Sequence, residues 1–356
     1  MVRGWAQHPG DRHHGAHGEL VARSLDVSVG DLLDFSQNIN PLGAPRGALR
    51  AARRAIDEES GRYPDLGYTE LRGAMADYLG VPAERIVPTN GGAEALFLAA
   101  RAAGKGGGAL VLEPTFSEYA AAARASGMSP VRRVARRREE GFGWDPASLG
   151  DLEGISVVFL CNPNNPTGDA LDQGEVLEMA ARVKAAGALL IVDEAFADFV
   201  PEVSVAAMVE ENLWVARSFT KFFAIPGLRL GCLVCGDAGR VQALQPSWAV
   251  NAVAAAAGIS ATRDRDFAEA SVGEVARLRE HLFVALDALA ELRPFPGVAN
   301  FLLVGGPVGL AERLARRGVL VRGCGPFEGL GPEYFRVAVR DEVSNGRLVA
   351  AIREEL

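Results

Sequence analysis

The sequence predicts an α/β protein: a larger domain built on a seven-stranded, mostly parallel sheet, followed by a smaller α+β domain. Three observations carry this expectation. From Ile86 onward, short β-branched apolar runs alternate with longer Ala/Leu/Glu/Arg segments of helical period, the pattern of βαβ units. After Asp237 that alternation gives way to a long Ala-rich helical stretch, 248–292, and then to a few short strands. The length of 356 residues makes about two to three domains at roughly 150 residues each, so a large core forms without disulfides or metals.

The elements follow in chain order. Residues 1–43 have weak periodicity and cannot form a core alone; they are expected to be an arm that packs on the smaller domain or on a partner subunit. The larger domain is expected over 44–237, with strands at 85–88, 109–113, 129–134, 157–161, 188–192, 213–218 and 230–235. Helices at 93–103, 117–126 and 172–186 fall between several of them. The smaller domain, 238–356, adds strands at 299–304, 319–322 and 335–339 to its long helical stretch.

Composition narrows the function classes. Hydrophobic residues make up 49% and charged residues 23%, the balance of a folded globular chain rather than a disordered or fibrous one. The net charge of −8 offers no general footprint for nucleic acid or an anionic membrane, so neither partner is expected. The basic run Arg132, Arg133, Arg136, Arg137, Arg138 is followed at once by Glu139 and Glu140 and reads as a solvated strand edge. Four scattered cysteines, Cys161, Cys232, Cys235 and Cys324, make no disulfide framework. Residues 1–18 lack an apolar signal segment, and no run approaches 18 apolar residues, so a cytoplasmic protein is expected. Cys232 and Cys235 share an apolar strand and face opposite sides of it, which argues against zinc or redox use. His8, His13, His14 and His17 lack a cysteine or carboxylate at ligand spacing, and no metal site is expected.

Four clusters carry chemistry. Ser218-Phe-Thr220-Lys221 sits where a strand gives way to a loop, and a lysine desolvated there has a lowered pKa and becomes a neutral nucleophile able to form a Schiff base. Ser218, Thr220 and Arg229 would supply a hydroxyl and a bidentate guanidinium to a phosphate, although a surface lysine beside a structural arginine would read the same. Asp193, at the C-terminal end of a very apolar strand, stands where open α/β sheets bind ligands. A buried carboxylate there either pairs with a cation such as a pyridinium or caps the next helix, and Glu194 points elsewhere. Cys161-Asn-Pro-Asn-Asn165-Pro-Thr-Gly168 follows another buried strand; its prolines fix the loop so that an asparagine can be aimed inward, beyond what turn chemistry requires. Thr89-Asn-Gly-Gly92-Ala93-Glu94 lies between strand and helix, where backbone N–H groups can close on an anion, or form a plain loop.

Taken in order, Gly92-Ala93, Asn165, Asp193, Ser218-x-Thr220-Lys221 and Arg229 resemble the fold-type I family of pyridoxal 5′-phosphate enzymes, aminotransferase class I/II, over nearly the whole chain. The resemblance implies that Lys221 bonds the cofactor, Asp193 contacts its pyridine nitrogen, and Asn165 its 3-oxygen. It implies that Gly92, Ala93, Ser218, Thr220 and Arg229 hold the phosphate and that Phe116 stacks on the ring. Tyr63 matches a tyrosine that reaches the partner subunit's cofactor phosphate, so a homodimer is implied; Arg336 matches the arginine that grips the substrate α-carboxylate.

Within the family, two groups compete: L-threonine-O-3-phosphate decarboxylases of cobalamin biosynthesis and histidinol-phosphate aminotransferases. Asp34-Phe-Ser-Gln-Asn38-Ile-Asn-Pro-Leu42-Gly43 resembles the decarboxylases, where the aminotransferases have tyrosine in place of Leu42. Phe196 stands where the aminotransferases have a tyrosine donating to the 3-oxygen, and Lys221-Phe-Phe-Ala-Ile-Pro-Gly-Leu-Arg229 also follows the decarboxylase pattern. His14-Gly-Ala-His17 departs from the decarboxylases' His-Gly-Gly-Asn. A phosphorylated amino acid carries a carboxylate and a phosphate, so Arg322 and Arg336 are candidates for those anions, with Asn38 and Asn165 in the same substrate site and Arg340 a further cation nearby. The same fold also serves as an effector-binding domain of transcription regulators, but those need a DNA-binding domain for which no helix-turn-helix candidate is present, and an intact Lys221 favours chemistry.

Overall fold

The computed structural model describes residues 18–104, 106–134, 136–137, 142–144 and 149–356, with the side chains of 130–134 and 136–137 left aside. His8, His13, His14 and His17, and the side chains of the 132–138 basic run, lie outside the described residues. The strands are β1 (Leu33–Asp34), β2 (Ile86–Thr89), β3 (Gly108–Glu113), β4 (Ser129–Val134), β5 (Arg136–Arg137), β6 (Phe142–Gly143), β7 (Ile155–Cys161), β8 (Leu189–Asp193), β9 (Leu213–Ser218), β10 (Gly231–Val234), β11 (Arg293–Pro294), β12 (Phe301–Gly305), β13 (Val319–Leu320), β14 (Arg322–Gly323) and β15 (Tyr334–Ala338). The helices are α1 (Gly18–Leu25), α2 (Arg46–Glu59), α3 (Thr69–Leu79), α4 (Gly91–Ala103), α5 (Glu118–Ala125), α6 (Gln173–Ala185), α7 (Phe219–Phe222), α8 (Ala238–Gln242), α9 (Ala252–Arg263), α10 (Arg265–Asp287), α11 (Leu310–Arg316) and α12 (Glu342–Glu355).

All seven expected strands of the larger sheet form, in the order β2-β10-β9-β8-β7-β3-β4. Every neighbouring pair is parallel except those of β10, which runs antiparallel to β2 and to β9. The strands read as continuous apolar runs because both faces are covered. Leu110, Val158, Leu190, Val192 and Val215 join the core on one face, and Val111, Val157, Phe159, Ile191 and Trp214 the core on the other. Cys232 and Cys235 fall in opposite cores, as the two-residue strand period requires, and both are free thiols.

The long helical stretch is two helices rather than one. Asp264 ends α9 and, through its side chain, accepts from the Phe267 N–H to cap α10; its preference for that cap over a helix interior breaks the run. Trp248 lies ahead of α9 with φ +55°, outside any helix. Val250, Ala254, Ala257, Ala261 and Val275 pack into the core beneath the larger sheet. Farther along, α10 contributes Leu278, Leu282 and Leu286 to a separate core with Leu302, Val304 and Val337 of a four-stranded sheet ordered β11-β12-β15-β14. Leu33 and Phe35 join that second core, β1 pairs in parallel with β13, and Ala338 N–H donates to the Phe35 carbonyl. This pairing carries Ser36–Asn40 from the smaller sheet toward the carboxyl ends of the larger one, where the Asn40 N–H donates to the Lys221 carbonyl at 3.0 Å. Among the described residues no helix is long and apolar enough to cross a membrane.

Candidate active site

The carboxyl ends of β3, β7, β8 and β9 point to one edge of the sheet, and β2, which runs in the same sense, delivers the start of α4 there. Strand order thus gathers residues more than a hundred positions apart. Gly92, Ala93, Phe116, Asp193, Ser218, Thr220, Lys221 and Arg229 line one cleft of about 340 Å³. Leu96, Glu118 and Ala195 line it too and were not singled out by the sequence.

Close backbone approach builds the anion end. Gly91 has φ +80°, and a Cβ there would stand 2.6 Å from Arg229 Nη2; at Gly92 a Cβ would meet the Ser218 Cβ at 3.1 Å. Both glycines let the first turn of α4 lie against β9 and the guanidinium, so that the N–H groups at the positive end of a 13-residue helix share a concavity with Ser218, Thr220 and Arg229. Arg229 itself holds φ +61°, a conformation costly for a side-chain-bearing residue, and donates to the Pro226 carbonyl at 3.2 Å. The Ser218 and Thr220 hydroxyls are 2.8 Å apart, and Lys221 Nζ donates to Ser218 Oγ at 3.2 Å.

Lys221 follows β9 in the four-residue helix α7. Burial pushes its amine below the usual lysine range; Asp193 opposes that shift, while Arg229 and Arg336 add to it. Burial in turn pushes Asp193 above the usual carboxylate range, against the pull of Lys221 and two hydrogen bonds. Those bonds come from Tyr119, whose hydroxyl donates to Oδ2 at 2.8 Å, and from the Ala195 N–H, which donates to Oδ1 at 2.9 Å. Tyr119 escaped the sequence reading, although a ring three residues after Phe116 falls on the same face of one helical turn. The two rings meet edge to face, centroids 5.8 Å apart.

The remaining candidates are not among the residues that line this cleft. Phe196 lies with its ring centroid 5.7 Å from Lys221 Nζ and meets Phe301 edge to face at 4.9 Å. Arg336 sits over the same Phe301 ring at 5.4 Å, donates through Nη1 to Asn165 Oδ1, and donates through Nη2 to the Ser36 carbonyl at 2.9 Å. Asn165 occupies the loop after β7, where the Asn162–Pro163 and Asn165–Pro166 peptides are cis. Arg322 lies opposite Arg336 across β14 and β15; both are buried, and burial lowers both pKa values, that of Arg336 to about 10. Asn38 is buried with its side-chain carbonyl unpaired among the described residues. Tyr63 stands apart, 76% exposed and stacked on Trp248 at 4.4 Å. Arg340 donates to the Asp34 carbonyl at 2.8 Å.

Glu194 does point away from the cleft. It accepts from Arg217 Nη1, Ser204 Oγ and the Val205 N–H, each at 2.6 Å, while Arg217 Nη2 also donates to Asp198. This fully buried ion network clamps the chain just after Asp193 to the end of β9 just before Ser218.

A half-buried, desolvated amine, a buried carboxylate whose charge acts on it, and an anion cradle made of helix N–H groups, two hydroxyls and a guanidinium are the complement that pyridoxal 5′-phosphate requires, and together with the fold they define an enzyme dependent on that cofactor. The chain belongs to the aminotransferase class I and II family, whose sequence pattern matches residues 30–352. It is 39% identical over 353 residues to the threonine-phosphate decarboxylase of Salmonella typhimurium, covering 96% of each chain. It is 30% identical to the histidinol-phosphate aminotransferase of Methanopyrus kandleri, covering 96% of this chain and 93% of that one. Among solved structures, the histidinol-phosphate aminotransferase from Clostridium acetobutylicum superposes with a TM-score of 0.84 at 28% identity, covering 91% of this chain and 99% of that one.

Proposed function

We propose that this protein is a lyase that decarboxylates L-threonine O-3-phosphate to 1-aminopropan-2-ol phosphate in cobalamin biosynthesis, acting as a homodimer in the cytoplasm. The observation that carries the reading is the Arg322/Arg336 pair: two buried guanidiniums opposite each other on adjacent strands, beside the cleft that holds Lys221. Two guanidiniums drawn largely out of water on facing positions suit a substrate that carries two anions, and one bearing both a carboxylate and a phosphate supplies them. The 39% identity to a threonine-phosphate decarboxylase supports the same choice, as do Leu42 and Phe196.

In this reading the cofactor, when bound, supplies a carbonyl for the substrate amine and a ring that takes up the electron pair of the broken Cα bond. Lys221 Nζ would hold the cofactor at that carbonyl and, as a free amine, would be placed to deliver a proton to Cα. Asp193 keeps the ring nitrogen protonated. Gly92, Ala93, Ser218, Thr220 and Arg229 hold the phosphate, with Tyr63 of the second subunit, and Phe116 covers the ring. Asn165 has its Oδ1 taken up by Arg336, so its Nδ2 is the end that donates to the cofactor's 3-oxygen. Arg336 would orient the carboxylate and Arg322 and Asn38 the rest of the substrate, and that orientation selects which bond to Cα breaks.

The test gives the purified enzyme L-threonine O-3-phosphate in one arm and histidinol phosphate with 2-oxoglutarate in the other. Carbon dioxide without glutamate is expected. Glutamate with no carbon dioxide would transfer the assignment to histidinol-phosphate transamination, the second reading, which the likeness to the Clostridium acetobutylicum enzyme supports.

A further inference from the structure

Asp193 is the one acidic side chain facing the cleft from the end of β8, and its ionised form has few supporters. Lys221 approaches from α7, Tyr119 from α5, the Cys161 thiol from β7, and Arg217 acts from β9 on the far side of the sheet. Lys221 acts on the Asp193 carboxylate through its charge. The local donors that remain are the Ala195 N–H on Oδ1 and the Tyr119 hydroxyl on Oδ2.

Tyr119 is built to hold its hydroxyl in place. The side chain is fully buried, its ring stacks on Phe159 with centroids 5.5 Å apart and planes at 13°, and Phe116 closes it edge-on. A ring clamped on two sides cannot swing away, so the hydroxyl oxygen stays 2.8 Å from Asp193 Oδ2. A buried hydroxyl could have satisfied itself on any nearby carbonyl; here it bonds to the catalytic carboxylate instead.

We propose that Tyr119 is a positioning residue that acts through Asp193, fixing the plane of the carboxylate and keeping it ionised so that it can hold the cofactor's ring nitrogen protonated. This rests on the assignment of Asp193 to the ring nitrogen.

The experiment measures the dissociation constant of pyridoxal 5′-phosphate for cofactor-free, full-length protein across a pH series in native, Tyr119→Phe, Asp193→Asn and the double variant, with the melting temperature of each cofactor-free protein alongside. Tyr119→Phe keeps the packed ring and should melt near the native protein. Its cofactor affinity should fall roughly tenfold at neutral pH, the size of one hydrogen bond to a charged group. The acid-side loss of affinity should also move to higher pH, because a carboxylate stripped of a donor takes up its proton sooner. In the Asp193→Asn background the same change should have no effect on the pH profile. An unchanged affinity and acid limb in Tyr119→Phe, or an equal loss in both backgrounds, overturns the proposal. If Asp193→Asn itself binds cofactor with native affinity and native pH dependence, it is the ring-nitrogen assignment that fails. A Tyr119→Phe protein that loses its melting transition is replaced by 3-fluorotyrosine incorporation, whose more acidic hydroxyl should strengthen the bond and move the acid limb to lower pH; no movement overturns the proposal.

Discussion

Arg336 Nη1 donates to Asn165 Oδ1, a bond that ties a strand of the smaller sheet to the loop after β7 of the larger one. Neither residue therefore stands alone: the guanidinium fixes the orientation of the amide, and the amide that of the guanidinium. Arg336 Nε is left without a partner among the described residues, while Nη2 is taken by the Ser36 carbonyl. Replacing Arg336 by glutamine removes the cation and leaves the amide contact within reach. The expected result is a rise in KM for the amino acid substrate of about a hundredfold, equivalent to the roughly 2–5 kcal/mol lost when one partner of a buried charge pair is truncated. Cofactor affinity should change by much less. A native KM in Arg336→Gln would remove this residue from the substrate site.

The proposed homodimer, with Tyr63 reaching the second subunit's site, gives a mixing prediction. Tyr63 is exposed and stacks on Trp248, whose indole N–H donates to the Pro64 carbonyl at 3.2 Å, so Tyr63 is held at the surface and is not among the residues that line the cleft of its own chain. Lys221→Ala alone should be inactive and lack the cofactor's visible absorbance, since Lys221 is the one lysine among the described residues that line the cleft. Mixed with a chain carrying a disruptive Tyr63→Asp change, half of the sites in each heterodimer carry both lesions and half carry neither. Activity should reappear on mixing the two inactive proteins and refolding them together. Persistent inactivity of verified heterodimers would mean that each site is self-contained.

The larger sheet was legible because its strands are buried on both faces, so that Val, Ile and Leu runs such as Leu-Leu-Ile-Val before Asp193 need no alternation to stand out. The cleft residues were legible for a related reason: lysine, aspartate and asparagine each interrupt or end an apolar run, and such interruptions mark strand ends. Tyr119 left no comparable mark, being one aromatic residue in an Ala-rich helix, where a core position is the ordinary reading. The Arg217 network was hidden because its partners, Glu194, Asp198 and Tyr78, come together only through the pairing of β8 with β9 and the packing of α3 beside them. The break at Asp264 was hidden for a local reason, since Ala-rich sequence on both sides masks a single capping residue.

That network makes a prediction about stability and pH. Glu194 and Asp198 are buried, and burial raises both carboxyl pKa values while the Arg217 charge, the largest opposing influence on each, pulls them down. In Arg217→Met the pull is gone and both values rise further. A carboxyl whose folded pKa exceeds its unfolded one stabilises the protein below the unfolded value and loses that stability as pH rises through the folded value. The variant should therefore be less stable than the native protein by about 3–5 kcal/mol at pH 8, the cost of breaking a buried pair. The deficit should shrink as pH falls toward the ordinary carboxylate range, where the folded variant takes up protons. Urea unfolding of both proteins at pH 8 and pH 5.5 measures the difference; an equal deficit at both values would mean that the two carboxylates are not ionised in the native fold.

Phe196 supplies the test closest to the chemistry. It is buried, faces Lys221 Nζ at 5.7 Å from the ring centroid, and is held edge-on by Phe301. A phenylalanine cannot donate to the cofactor's 3-oxygen, which leaves the Asn165 amide as the proposed side-chain donor to that oxygen. With one donor fewer, that oxygen would keep more negative charge and would favour a proton on the nitrogen it faces. Phe196→Tyr adds a hydroxyl donor that stabilises the anionic oxygen, and the gain is largest once that proton has left. The pKa read from the pH titration of the cofactor's visible absorbance should fall by about one unit if the new bond is worth roughly 1.4 kcal/mol, within the range for a bond to a charged group. Native and variant holoenzymes titrated side by side give the answer. A value unchanged or raised in Phe196→Tyr would mean that this ring does not face the 3-oxygen, and Phe196 would then no longer bear on the choice between decarboxylase and aminotransferase.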